Sequence, residues 1–277
     1  MSAPDLVAAR ATFSRGSRTY STASRFFPRA IRDAVTTLYA FVRKADDYVD
    51  SQPQDAAGFR NFRGCWMAAK SGVASGDPVV DNFAALARER AFEPNWTEAF
   101  LDAMEADLTV SCYDHIDDTL AYVYGSAEVI GLYMTRLLDL PPEAAEPARM
   151  LGRSMQFINF IRDFAEDRRL GRRYLPLDGV DEAISDETWA RAHQAEFSVW
   201  LRGQIDRYRG WGEAGRCGFS LIPRRYRVAI ATAQDMYDWT AKQIYAEPLR
   251  VFAGSIKPAK PRILMRALRN LLKGGAP

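Results

Sequence analysis

The chain has 277 residues, 48% of them hydrophobic and 26% charged, with a formal net charge of +2. That length and apolar content support a substantial buried core, and the near-balanced charge gives no footprint for nucleic acid as a partner. The odd count of three separated cysteines, Cys65, Cys112 and Cys217, excludes a fully paired disulfide framework; no apolar run reaches the ~18 to 20 residues of a membrane span and the N-terminus has no signal-peptide core, so the expected location is the cytoplasm.

Asp5 to Phe13 carries a short amphipathic helical pattern. Ser14 to Tyr20 is a polar, basic bend whose Ser17 and Arg18 can serve a phosphate group or form an ordinary helix junction. Pro28 fits the start of a helix through Val35, Leu38 and Val42 to Asp50, with Tyr39, Arg43, Asp46 and Asp50 along one side. Ala56 to Lys70 and Val79 to Ala91 read as helices without evident chemistry. Asn95 and Glu98 have the spacing of an N-terminal cap for a helix from Trp96 through Leu108. Asp114, Asp117 and Asp118 cluster where the next helix begins and offset its dipole; that helix runs from about Asp117 to Leu140, and its Gly125, Ser126, Ala127 and Gly131 admit close approach by another helix or a bulky apolar ligand.

After Pro141 and Pro142 a central helix extends to about Gly171, with Arg168, Arg169, Arg172 and Arg173 as cations at its C-terminal end. Further helices are expected up to about Trp211 and from Arg224 to Glu247. From about residue 251 the tail is basic, with Lys257, Lys260, Arg262, Arg266, Arg269 and Lys273 around an apolar face of Ile263, Leu264, Ala267, Leu268 and Leu271. It is expected either to rest peripherally on an anionic membrane or to pack on the body of the protein with its basic side in water. Period-two alternation is nowhere sustained, so a single all-α domain over residues 1–277 is the expectation.

The chemistry concentrates in two carboxylate pairs. Gln156, Asn159, Asp163 and Asp167 fall on one narrow stripe of an otherwise apolar helix, and Asp46 and Asp50 form a second Asp-x-x-x-Asp pair. Burying unpaired carboxylates costs several kcal/mol each, so such stripes call for a partner; Mg²⁺, which takes carboxylates, waters and phosphate oxygens together, suits them. Cys112 with His115 does not make a zinc set, because His193 is the only other histidine.

These segments resemble the squalene and phytoene synthase family. Ser17-Arg-Thr-Tyr20, Phe27-Pro28 and Tyr39 to Asp50 match its opening pattern; Tyr122, Tyr124, Ala127 and Gly131 its middle one; Gln156 to Asp167 and Gly171 to Pro176 its last. The similarity runs from about Ala11 to Glu247, with Glu128 and Ala165 standing where the family usually has Gly. It implies an isoprenoid-synthase-type helical bundle around a central apolar cavity, catalysing head-to-head condensation of two prenyl diphosphates through a cyclopropylcarbinyl diphosphate. It further implies Mg²⁺, with Mn²⁺ as an alternative, held by Asp46, Asp50, Asp163 and Asp167. Ser17, Arg18, Arg43 and Arg162 would face phosphate, Gln156 and Asn159 would orient metal water or phosphate oxygens, and Tyr39 and Ala127 would contact substrate. Tyr122 would stand beside the reacting centre, and Ala127, Val129, Ile130, Phe157 and Phe160 would line the tunnel. The expected product is phytoene from two geranylgeranyl diphosphates; the alternative is squalene or dehydrosqualene from farnesyl diphosphate, with NADPH needed only for squalene. Rival readings are a head-to-tail prenyltransferase or terpene cyclase and a non-catalytic assembly relative.

Overall fold

The computed structural model describes residues 27–254 and 256–272; the expected helix at 5–13 and the bend carrying Ser17 and Arg18 lie outside them, as does Lys273. The described chain is all-α, as expected, and its only β feature is an isolated bridge between Cys112 and Arg173.

Helix α1 (Arg29–Asp50) starts behind Pro28, whose fixed φ and missing N–H cost nothing at a helix entry. It buries Val35, Leu38, Phe41, Ala45 and Val49 along one stripe, with the Phe41 ring stacked on Phe83 at 4.0 Å. Its polar edge is thereby turned the other way. Asp55 and Asp77 cap α2 (Ala56–Lys70) and α3 (Pro78–Glu89) through their side chains. The expected Asn95 cap does not form: α4 (Pro94–Ala106) begins two residues before the expected Trp96, at Pro94, and Glu98 instead accepts from Trp66 Nε1 at 3.2 Å and Lys70 Nζ at 2.7 Å.

The helix expected over 117–140 is three pieces: α5 (Ile116–Val123), a π-helical turn at Tyr124–Glu128, and α6 (Val129–Leu137). The wide turn lies against α4 and α7 (Ala145–Arg162) at backbone distance. A Cβ on Gly131 would come 2.3 Å from the Ala148 carbonyl oxygen, and one on Gly152 would come 2.5 Å from that of Ala127, so only glycine fits at either place. The central helix is also broken. It stops at Asp163 (φ −97°, ψ 9°) and resumes as α8 (Phe164–Arg169). Arg173, expected as a cation at the helix C-terminal end, lies beyond that end, is 1% exposed, donates to the Leu175 carbonyl and pairs with Asp114. The remaining helices are α9 (Glu187–Ala192), α10 (Gln194–Arg216), α11 (Arg224–Ala246) and α12 (Lys260–Leu272). α7 sits among α6, the π-turn, α10 and α11, and buries Phe157, Ile158 and Ile161 completely.

Glu128, the residue out of pattern, is fully buried and faces away from the cavity described below. Its carboxylate is clamped by two arginines of α7, accepting from Arg149 Nε at 3.0 Å and Arg153 Nε at 2.6 Å. The guanidiniums lie over the rings of Tyr124 and Trp211 respectively. A carboxylate placed where glycine is usual is tolerated because both its oxygens are matched. Glu128→Ala is therefore expected to destabilise the chain by about 2 to 4 kcal/mol, and Arg149→Ala by less because Arg153 remains. Urea denaturation midpoints read both.

Candidate active site

Among the described residues a large cavity runs between α1, the π-turn and α6, α7, α10 and α11, with an empty volume of about 1560 Å³ including its open part. Along α7 it is lined by Ala148, Leu151, Gly152, Met155, Gln156 and Asn159, one helical face extending roughly 16 Å at 1.5 Å per residue. One end is apolar, lined by Leu138, Leu140, Ala144, Pro147 and Phe219. The other carries Tyr39, Gln156, Asn159 and Tyr237. Of the residues expected to line a tunnel, Ala127 and Ile130 do so. Val129, Phe157 and Phe160 do not: Val129 and Phe157 are fully enclosed in the core, Phe157 packing edge-on to Trp211, and Phe160 stacks on Tyr174 at 4.6 Å. On a helix buried on most sides, apolar character cannot tell the cavity face from the core face.

Beyond the polar end stand the carboxylates. Asp46 and Asp50 end α1, Asp163 occupies the break after α7, and Asp167 lies one turn into α8. Each pair is partly neutralised by its own motif's arginine: Arg43 reaches Asp46 at 3.0 Å and Asp47 at 2.6 Å, and Arg162 holds both oxygens of Asp163 at 2.8 and 2.5 Å. Arg172 bridges the two motifs, 3.6 Å from Asp50 and electrostatically coupled to Asp167.

Asp107, which follows α4, was not singled out by any sequence pattern and lies among them. It is 8% exposed and accepts from the Tyr122 hydroxyl at 2.7 Å and the Tyr174 hydroxyl at 2.8 Å. Burial, with the Asp107 carboxylate next, holds both tyrosines well above the usual phenol range, so they remain donors. Tyr122 is thus a core tyrosine with a satisfied hydroxyl, in a layer with Tyr113, Phe160 and Tyr174 rather than on the cavity wall.

This crowding shows in the protonation equilibria. Burial first and Asp50 second push Asp46 up to about 7; burial first, then Asp163 and Glu166, push Asp167 up to about 7. Burial raises Asp107 to about 6 against the opposing hydroxyls of Tyr122 and Tyr174. Although 36% of the Asp46 side chain meets solvent, its carboxyl sits in a recess where protein excludes most of its hydration. Tyr237 of α11 is also raised, by burial, and hydrogen-bonds Asn159, whose Oδ1 is left buried without a partner.

Among the described residues no three acidic, cysteine or histidine side chains converge into a ready-made metal cage. The donors present are hard oxygens in two separate pairs, with an orphan amide oxygen beside them. That set fits a cation completing its shell with water and phosphate oxygens, as Mg²⁺ does, and does not fit zinc. Asp107, Arg172, Tyr174 and Tyr237 were missed as site residues. Arg172 and Tyr174 lay inside a noted motif, whereas Asp107 and Tyr237 are joined to the site only through tertiary contacts.

The sequence model described as squalene/phytoene synthase matches residues 13–266. A phytoene synthase of Pseudescherichia vulneris is 30% identical over 252 residues, covering 86% of this chain and 82% of the relative. One of Rhodobacter capsulatus is 33% identical, covering 84% and 71%. Among solved structures a dehydrosqualene synthase shares the fold with a TM-score of 0.85 at 22% identity over 98% of this chain and 97% of that one. A squalene synthase from Alicyclobacillus acidocaldarius reaches 0.74 at 22% identity over 91% and 96%. With the family's sequence model spanning nearly the whole chain and two carboxylate motifs facing one apolar cavity, the protein belongs to the squalene/phytoene synthase family of prenyltransferase-type enzymes.

Proposed function

We propose that the chain, acting as one catalytic domain, joins two geranylgeranyl diphosphates head to head to give phytoene by way of a cyclopropylcarbinyl diphosphate. The observation that carries this reading is the pairing of a long apolar cavity with two carboxylate motifs one helical turn beyond its lining residues Val42 and Asn159, in a chain whose curated relatives at about 30% identity are named phytoene synthases. The second reading, condensation of farnesyl diphosphates, is favoured by the solved neighbours, which are named dehydrosqualene and squalene synthases.

Asp46, Asp50, Asp163 and Asp167 would hold Mg²⁺, which neutralises diphosphate so that it can leave. Once the carboxylates engage cations, Arg43, Arg162 and Arg172 are the side chains positioned to meet phosphate oxygens. The unpartnered Asn159 Oδ1 would be available to orient a metal-bound water, and Gln156 stands one turn deeper on the same face. The allylic cation left behind is destroyed by water, so the apolar walls of Val35, Leu38, Ile130, Leu151 and Met155 serve to keep the reacting chains dry. Tyr39 and Tyr237, which line the cavity at the boundary between the two zones, are the aromatic side chains that would stand nearest that charge. Tyr122 acts through Asp107, fixing a carboxylate beneath the site.

Incubating the enzyme with each prenyl diphosphate, with and without NADPH, and weighing the hydrocarbon by mass spectrometry is the direct test. Phytoene formed without reductant is expected, and exclusive use of farnesyl diphosphate overturns this choice. Asp46→Asn and Asp163→Asn are each expected to remove nearly all Mg²⁺-dependent turnover while the fold persists, read by diphosphate release beside circular dichroism.

The raised carboxyls give a separate expectation with its own sign. Folded Asp46 and Asp167 keep their protons up to about pH 7, whereas the unfolded chain releases them near the ordinary value of 3.8. Metal-free protein should therefore lose stability as pH rises from about 4 to about 7 and level off above. Asp46→Asn should melt higher than the parent at pH 8 in chelator, by a margin that narrows as pH falls and closes only near pH 4, and gain less from added Mg²⁺. A lower melting temperature for the variant at pH 8 would show that this carboxylate is not under repulsion.

A further inference from the structure

Among the described residues no helix is long and apolar enough to cross a membrane, yet α12 presents an unusual surface. It docks on α11 by its polar edge. Arg266 donates to both oxygens of Asp235 at 2.5 and 2.9 Å, and Asn270, 3% exposed, donates to Asp235 at 2.8 Å and Thr232 at 3.2 Å. Ile263 and Ala267, expected on the apolar face, turn toward the body with them. The outward side is left with Leu264, Met265, Leu268, Leu271 and Leu272, each 53 to 85% exposed. These are five of the eleven large hydrophobic side chains exposed among the described residues, so they form a patch rather than a scatter.

At 100° per residue the patch covers an arc of roughly 120°. Exposed Lys260 borders one edge, exposed Arg262 and Arg269 border the other, and exposed Lys257 precedes the helix. The sequence from 251 to 277 holds no acidic residue. We propose that this face docks on an anionic lipid bilayer, α12 lying in the interface plane with its leucines and methionine in the acyl boundary and Lys257, Lys260 and Arg269 at headgroup phosphates.

Charge decides the occupant. A second copy laid face to face would bring the two cationic borders together with no acid on either α12. Residues 1–26 are no better matched, carrying Arg10, Arg15, Arg18 and Arg25 against Asp5 alone. The use of such docking rests on the proposed hydrocarbon product, which has no polar group and dissolves only in a bilayer; the binding itself does not. The far side of α11, with Ala229, Ile230, Ala233 and Tyr237, is cavity wall, so one helix separates the lipid-facing element from the reaction chamber.

Flotation of the full chain with vesicles, in the absence of substrate, tests this. The chain is expected to float with phosphatidylcholine vesicles containing phosphatidylglycerol, weakly with phosphatidylcholine alone, and less at high salt. Leu264→Ser combined with Leu268→Ser and Leu271→Ser should lower the bound-to-free ratio by more than about tenfold, as should Lys260→Glu with Arg269→Glu. Melting temperature and turnover on detergent-dispersed substrate should be unchanged, since none of these side chains lines the cavity. No flotation of the parent, or undiminished flotation of either variant, overturns the proposal. So does a parent that sediments as a dimer, a serine variant that sediments as a monomer, and no lipid binding by either, which would make the occupant a second copy. Failure to form a hydrocarbon would defeat the functional reading and leave the flotation result standing.

Discussion

Five carboxylates brought to one end of an apolar cavity is the constraint around which this molecule is arranged. Like charges in a recess repel more strongly than in water because little solvent screens them. The protein answers in part with Arg43, Arg162 and Arg172, each set against an aspartate, and with the tyrosine hydroxyls that hold Asp107. What remains is a deficit of positive charge at the mouth. The same constraint explains why acids and apolar walls are segregated along α1 and α7 instead of mixed.

The gross architecture was legible in the sequence because helical periodicity, proline stops and aspartate caps act locally. Pro28 does at a helix entry what its residue type does, and Asp55 and Asp77, not singled out from the sequence, cap their helices by the same local rule. Breaks inside helices were less legible. Neither the π-turn at Tyr124–Glu128 nor the stop at Asp163 has a proline to announce it; the first follows from glycines fitted to a neighbouring backbone, and the second has no local signal that we can identify. Asn95 shows the converse, a good local signal overruled because Pro94 had already taken the first turn.

The site divides along the same line. Positions in helical register with one another, such as Tyr39, Arg43, Asp46 and Asp50, could be gathered from spacing. Asp107 could not, for its tyrosine partners stand 15 and 67 residues away in sequence. Tyr122 was visible as a residue but not as a role, since its ring lies in a core layer and its hydroxyl is taken by Asp107. The tail was half legible: its amphipathic period was plain, but which side turned inward depended on Asp235 and Thr232, residues of another helix.

Glu128 carries a lesson about inheritance. Its carboxylate and the guanidiniums of Arg149 and Arg153 come from different segments, yet each is tolerable in its place chiefly because the others are present. Such a trio is epistatic. The order of change matters: a chain that held Glu128 before acquiring the arginines, or lost them first, would strand a charge in the protein interior. Recombination that swaps α7 as a block, from a donor lacking the two arginines, would therefore destabilise the chain at a point remote from the paired aspartates, and a crossover placed before the π-turn would carry the whole trio across intact.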